Sequence, residues 1–154
     1  MKSQHKLILS SIGAVLVFLL DRFLKIFFQN HAGVKVIDGW LEFSFTKNTG
    51  IAFGIPLAQT IAYVIIGLVI LAVVYLLIVL LRKKRFFEAG VMFWLLVGAF
   101  SNLLDRFRYQ AVIDYLHVWR WSVFNLADVM IVVSVLVYFV YMYKQRDKKV
   151  DKPA

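Results

Sequence analysis

The chain has 154 residues, 62% of them hydrophobic, a formal net charge of +9 and no cysteine, and its mean hydropathy is +0.77. A soluble domain is about 45–50% apolar, so the composition excludes an ordinary water-soluble globule and points to the membrane. The missing cysteines exclude disulfides, a cysteine nucleophile and thiolate metal centres.

Four apolar stretches, at roughly 7–28, 57–81, 86–104 and 123–143, each approach the ~20 residues that a helix needs to cross ~30 Å of hydrocarbon. They predict an all-α membrane fold. It is a bundle of four transmembrane helices forming a single domain over 1–154, with a small extracytoplasmic β element between helices 1 and 2. The first stretch begins like a signal peptide but runs without a small-x-small cleavage site into Asp21-Arg22-Phe23-Leu24-Lys25, so it reads as a retained helix. Asp21 and Lys25 lie four apart on one face, as a structural ion pair would.

The β segment covers about 32–56. Leu41, Phe43 and Phe45 alternate with Glu42, Ser44 and Thr46, the pattern of a half-buried strand. Val34 and Val36 precede Asp38-Gly39, a favoured two-residue hairpin turn. The glycines and proline of Lys47–Pro56, which begins Lys47-Asn48-Thr49-Gly50, end regular pairing before the second span.

Asn102 and Asp105 close the third span, and Asp105 is followed by Arg106, with which it can form a local ion pair. The connection Asp105–Ser122 is rich in aromatics (Phe107, Tyr109, Tyr115, Trp119, Trp121) and reads as a loop hugging the membrane surface. The fourth span carries Asn125 and Asp128; at ~1.5 Å per residue Asp128 lies roughly 8 Å below the start of its helix. The tail at 144–154 reads as disordered and cytoplasmic.

Charge orients the bundle. Eleven of the 18 basic residues (Lys2, Lys6, Arg82–Arg85, Lys144, Arg146, Lys148, Lys149, Lys152) fall on one side, with three acids. The positive-inside rule then places both termini in the cytoplasm and the two longer connections outside. The basic tail suits anionic inner-leaflet lipid, not nucleic acid.

Asp114 and Asp128 have no cation beside them in sequence. A carboxylate in a membrane helix costs roughly 2.5–3.5 kcal/mol on insertion scales, so two acids at one depth suggest a general acid/base pair. Asn102 and Asn125 suit bonding backbone across helices as well as they suit orienting an acid. His31 and His117 have no partner at metal-ligand spacing, so no metal site is expected. Gly98-Ala99-Phe100-Ser101 is superficially like a serine-nucleophile stretch, yet no histidine base lies in a later helix. A rival class, a small proton-linked transporter or lipid-binding bundle, would string acids through the bilayer. Here they gather at one level.

Five motifs, in order and in approximate spacing, carry a resemblance. They are Asp21-x-x-x-Lys25, Asn48-x-Gly50-x-Ala52-Phe53-Gly54, Gly98-Ala99-x-x-Asn102-x-x-Asp105-Arg106, Val112-x-Asp114 and Phe124-Asn125-x-Ala127-Asp128. The chain resembles the bacterial lipoprotein signal peptidases (signal peptidase II, or prolipoprotein signal peptidase) over nearly its whole length. The resemblance implies an aspartic endopeptidase of the bacterial cytoplasmic membrane, with its active site at the outer face; a monomer is expected, although the sequence does not reveal the oligomeric state. It implies cleavage of the signal peptide just before a diacylglyceryl-modified cysteine, without metal or cofactor. Asp114 and Asp128 would be catalytic, and Asp21, Lys25, Asn48, Gly50, Asn102, Asp105, Arg106 and Asn125 would support them or bind substrate. Lipidated prolipoproteins, membrane lipid and globomycin-type inhibitors are the implied partners. The chain departs from the family pattern at Val97 and Ser101 and at Gln110, where glycines are common. Ser101 is expected to narrow a helix-packing groove and Gln110 to alter a turn.

Overall fold

A computed structural model describes residues 2–50, 59–119 and 122–150. Its helices are α1 (Lys2–Asn30), α2 (Gln59–Arg82), α3 (Phe86–Tyr109) and α4 (Leu126–Val150). Each is long and apolar enough to cross a membrane. Leu9, Leu16, Leu68, Leu71, Leu136 and Phe139 stand exposed on α1, α2 and α4, a surface suited to hydrocarbon. In its most apolar window α3 is 39% buried against 6% for α2, so α3 is the central helix and α2 the peripheral one. At the end of the bundle far from the sheet, Leu80, Ala89, Val91 and Met92 pack with Leu7, Val73, Leu76, Leu77 and Tyr138.

The four apolar runs became the four helices, with two changes of boundary that matter. Helix α3 continues past residue 104 to Tyr109 and so carries Asp105 and Arg106. Helix α4 starts at Leu126, because Ser122–Phe124 is a strand. Asp128 is therefore the third residue of its helix and not a group some 8 Å along it. The tail expected to be disordered is helical through Val150. The stretch Lys144–Lys149 consists mainly of good helix formers and contains no glycine or proline to stop it.

The sheet is larger than the expected hairpin. Strands β1 (Val34–Ile37), β2 (Leu41–Asn48), β3 (Val112–Val118) and β4 (Ser122–Phe124) pair antiparallel in the order β1-β2-β3-β4. The connection read as an aromatic loop thus supplies half of it. Its strand β3 shows no alternation because Val112–Tyr115 is buried on both faces, and such strands read as continuous apolar runs. The β1–β2 turn also differs. Ile37 pairs with Leu41 across three residues, Asp38, Gly39 and Trp40; Gly39 takes φ +71°, and Trp40 N–H donates to Ile37 O.

A register shift in β2 between Phe43 and Thr46 alters the expected alternation. Phe43 stacks on Phe28 of α1 at 5.7 Å, but Phe45 stands exposed. Thr46 and Asn48 instead turn their polar groups toward β3. Bulges commonly re-aim side chains in this way. The motif residues Ala52, Phe53, Gly54 and Pro56, and Trp121 and Lys152, lie outside the described residues.

Helices α3 and α4 touch at Gly98. A Cβ there would sit 2.7 Å from Ala127 O and 3.0 Å from Met130 Cβ. Gly98→Ala must push the first turn of α4 away, and such overpacking costs about 1–3 kcal/mol. Thermal unfolding in detergent should register a clear fall in Tm; an unchanged Tm would mean that the helices separate freely.

Candidate active site

Two linked clusters fill the sheet end of the bundle. The first is ionic and largely interior. Lys25 Nζ lies 3.0 Å from Asp21 Oδ2 and 2.7 Å from Asp105 Oδ2, and all three side chains are fully buried. Its third contact is a hydrogen bond to Asn102 Oδ1 at 3.0 Å. Asp105 also pairs through Oδ1 with Arg22 and accepts from Ile113 N–H at 3.2 Å, tying α3 to β3. Two carboxylates therefore face two cations, the balance a buried charge cluster requires.

The expected Asp105–Arg106 pair is replaced by this network. Neighbouring residues on a helix do not face each other. Asp105 turns to α1, whereas Arg106 Nη2 donates to Gly50 O at 2.7 Å. Tyr63 Oη of α2 donates to Arg106 O at 2.6 Å. Gly50 N–H in turn donates to Asn48 Oδ1 at 3.0 Å, closing a local turn after β2.

The second cluster holds Asp114 and Asp128 by amides. Asp114 accepts from Asn48 Nδ2 at 2.9 Å and from Asn125 Nδ2 at 2.6 Å, one on each carboxylate oxygen. Asp128 accepts from Asn102 Nδ2 at 2.7 Å and from Asn125 backbone N–H at 3.3 Å. Asp128 N–H donates to Asn125 Oδ1 at 2.9 Å. Asn125 is thus the N-cap of α4, reciprocated by the acid three residues on, in the manner of a capping box. One residue thus holds both carboxyl groups, Asp114 through its side chain and Asp128 through its backbone N–H.

Every amide orientation here is forced. Lys25 can only donate, so Asn102 must present Oδ1 to it and Nδ2 to Asp128. Likewise, the N–H of Asp128 claims Asn125 Oδ1 and leaves Nδ2 for Asp114. The structure therefore gathers Asp21, Lys25, Asn48, Asn102, Asp105, Asn125, Asp114 and Asp128 into one connected network, with Gly50 and Arg106 at its border. His117 is engaged with Thr46 Oγ1 and Ser44 O within the sheet.

The sequence reading missed three members. Arg22 stands beside Asp21 and was hidden by the Asp21/Lys25 spacing. Ser101 Oγ donates to Asp21 Oδ2 at 2.6 Å. Tyr115 Oη donates to Asp21 Oδ1 at 3.0 Å, where an aromatic at a membrane interface was expected. Its neighbour Asp114 was the available signal, since the residue next to it on a buried strand is buried too.

Known proteins place this arrangement. The family profile described as Signal peptidase (SPase) II matches residues 13–144. The chain belongs to the signal peptidase II family. It is 35% identical to a lipoprotein signal peptidase of Syntrophus aciditrophicus, over 93% of this chain and 97% of that protein. A second from Campylobacter jejuni is 33% identical over 90% of this chain and 89% of its own. A solved structure described as a bacterial membrane enzyme shares the fold, with a TM-score of 0.80 at 24% identity, covering 94% of this chain and 93% of its own. As a signal peptidase II the protein is a peptidase and a multi-pass bacterial membrane protein.

Two departures from the signal peptidase II pattern gain a physical account. Gln110 takes the left-handed conformation at the end of α3 (φ +55°), and its N–H donates to Arg106 O at 2.9 Å. Gln110 thus ends the helix in a conformation that glycine takes without strain. Ser101 is fully buried, and its hydroxyl adds a donor to Asp21.

Burial pushes Asp114 from 3.8 up to about 6, against the lowering effect of the Asn48 hydrogen bond and with a further rise from the charge of Asp128. A carboxyl with a folded pKa above its unfolded one adds stability that is fully present below about 4 and lost as pH rises through about 6. Measured against Asp114→Asn, which does not titrate here, the wild-type protein should therefore lose on the order of 2 kcal/mol of stability between pH 4 and pH 7.5. Melting curves of both proteins across this range check the sign; a wild type that gains stability over the variant as pH rises would contradict it.

Proposed function

We propose that this protein removes signal peptides from prolipoproteins by aspartic catalysis, with Asp114 and Asp128 as the reacting pair. The observation that supports this most directly is Asn125, which donates to the Asp114 carboxyl through its side chain and to the Asp128 carboxyl through its backbone N–H, and so ties an acid of β3 to an acid of α4. Two close carboxyls do not both ionise easily, so they hold one proton between them. The ionised group draws a proton from water as it attacks the scissile carbonyl, and the protonated group donates to the carbonyl oxygen. The reaction proceeds by proton transfer between these groups, water and substrate, and calls for no metal or organic cofactor.

The substrate is a prolipoprotein cut before a cysteine carrying diacylglycerol. Both termini lie in the cytoplasm, following the basic residues at the end far from the sheet, and the sheet and the aspartates lie at the outer face. The acyl chains keep the scissile bond at the depth of Asp128, so positioning supplies much of the rate. The proton-relay alternative needs acids along a path. Among the described helical acids, Asp21, Asp105 and Asp128 cluster at the sheet end, with Glu88 and Asp147 at the other.

Purified protein should release the signal peptide from a lipidated prolipoprotein. Asp114→Asn and Asp128→Asn should each lower turnover by ~10²–10⁴-fold, and the double variant should cost little more, because the pair acts as a unit. Strong cleavage by either folded variant would eliminate the aspartic mechanism.

Lipid anchoring has its own test. A prolipoprotein whose cysteine lacks diacylglycerol should be cut poorly or not at all, and globomycin should block cleavage of the lipidated form. Equal cleavage of both substrates would remove lipid anchoring and leave the peptidase assignment standing.

A further inference from the structure

The first turn of α4 is fastened by groups from β3, from α1 and from its own N-cap. The leading N–H groups of a helix have no acceptor within it. Here Leu126 N–H donates to Tyr115 Oη of β3 at 3.1 Å, and Ala127 N–H donates to Asp21 Oδ1 of α1 at 3.3 Å. Asp128 N–H donates to the cap, Asn125. The Tyr115 hydroxyl is used twice, since it also donates to Asp21 Oδ1 at 3.0 Å. Its ring is fully buried and stacks on Phe28 of α1 at 5.8 Å.

Tyr115 follows Asp114 directly on β3. Successive strand side chains point to opposite faces. Asp114 reaches Asn48 and Asn125 on one face, while Tyr115 reaches Asp21 and the start of α4 on the other. One strand thus carries a carboxyl group of the pair and the clamp on the helix that carries its partner.

We propose that the Tyr115 hydroxyl is a positioning group that fixes Asp128 against Asp114 by holding Leu126 N–H at the start of α4. The inference rests on the assignment of those two aspartates as the catalytic pair. Loss of the hydroxyl leaves the ring to pack but frees the N–H two residues ahead of Asp128, in the turn most prone to fray. Gly98 of α3 still packs on Ala127, Met130 and Ile131, so the helix as a whole stays docked and the change is confined to the N–H of Leu126 ahead of that contact.

The test uses the purified full chain and a lipidated prolipoprotein. Tyr115→Phe should lower kcat about 10- to 100-fold with KM unchanged. The two limbs of its kcat–pH profile should also move closer together, because loosened carboxyls repel less. Trp94→Phe, which removes a bond to Ser10 at 3.0 Å near the opposite end of the bundle, serves as a control that lowers Tm and leaves kcat and the profile intact.

Leu126→Pro removes the same N–H at the first helical position, where proline is tolerated. It should reproduce the kcat loss, and the double variant should lose no more than either single one. It also keeps the test decisive if Tyr115→Phe fails to fold. Wild-type kcat in either folded variant, or an equal kcat loss in Trp94→Phe, overturns the proposal. Inactive Asp114→Asn beside a fully active Tyr115→Phe would sink this inference alone; an active Asp114→Asn would sink the catalytic assignment itself.

Discussion

Lys25 sits without solvent at the sheet end of the bundle, and each proton of its ammonium has an acceptor: Asp21, Asp105 and Asn102. An uncompensated charge at such a place costs several kcal/mol, and removing one partner of a buried pair typically costs about 3–5 kcal/mol. The cluster is satisfied only when α1 and α3 meet in a single register, and Ile113 N–H on Asp105 extends that requirement to the sheet. Hydrophobic contact alone would not select this register, because the lipid-facing sides of the helices are as apolar as their contacts. The ion cluster therefore fixes how the helices and the sheet come together.

From that register the aspartates inherit their places. Asn102 is aimed by Lys25 and holds Asp128; Asn48 is aimed by the Gly50 turn and holds Asp114. Between them Asn125 serves as helix cap and as bridge. Asp128 occupies the first turn of α4, where the aligned peptide dipoles favour acidic side chains. The requirement to cap a buried helix end and the requirement to hold an acid in a set direction are met by the same residue.

The sequence made the long apolar spans legible, because the length of a hydrocarbon crossing leaves few alternatives. The β1–β2 hairpin was legible as far as Phe43, where alternation still reported one buried face. It failed at the bulge, since a shift of one residue reverses the faces without changing composition. Strand β3 was hidden because burial on both faces erases alternation. Asp114 and Asp128 stood out as acids without a neighbouring cation. The partners of Asp105 did not, for Lys25 and Arg22 lie about eighty residues away, and only the fold brings them near. Tyr115 was concealed by its type: aromatic residues in a short connection between spans read as interfacial anchors, and nothing local signals that a hydroxyl is needed within.

The arrangement of charge bears directly on the proposed chemistry. Arg22 and Lys25 have Asp21 and Asp105 as their ion-pair partners, which leaves the Asp114/Asp128 pair bonded to amides alone among the described residues. Lys25 stands one side chain away from Asp128, with Asn102 between. An amide passes on direction without passing on charge. Were the ammonium in direct contact, it would bind the carboxylate as an ion pair and hold the dyad in one protonation state, whereas acid/base turnover needs the proton to change places at little cost. Burial, helped by the charge of Asp128, outweighs the lowering by the Asn48 and Asn125 hydrogen bonds and by the Lys25 charge, and raises Asp114 to about 6. The neutral ionic cluster beneath can then be rigid without fixing the proton above it.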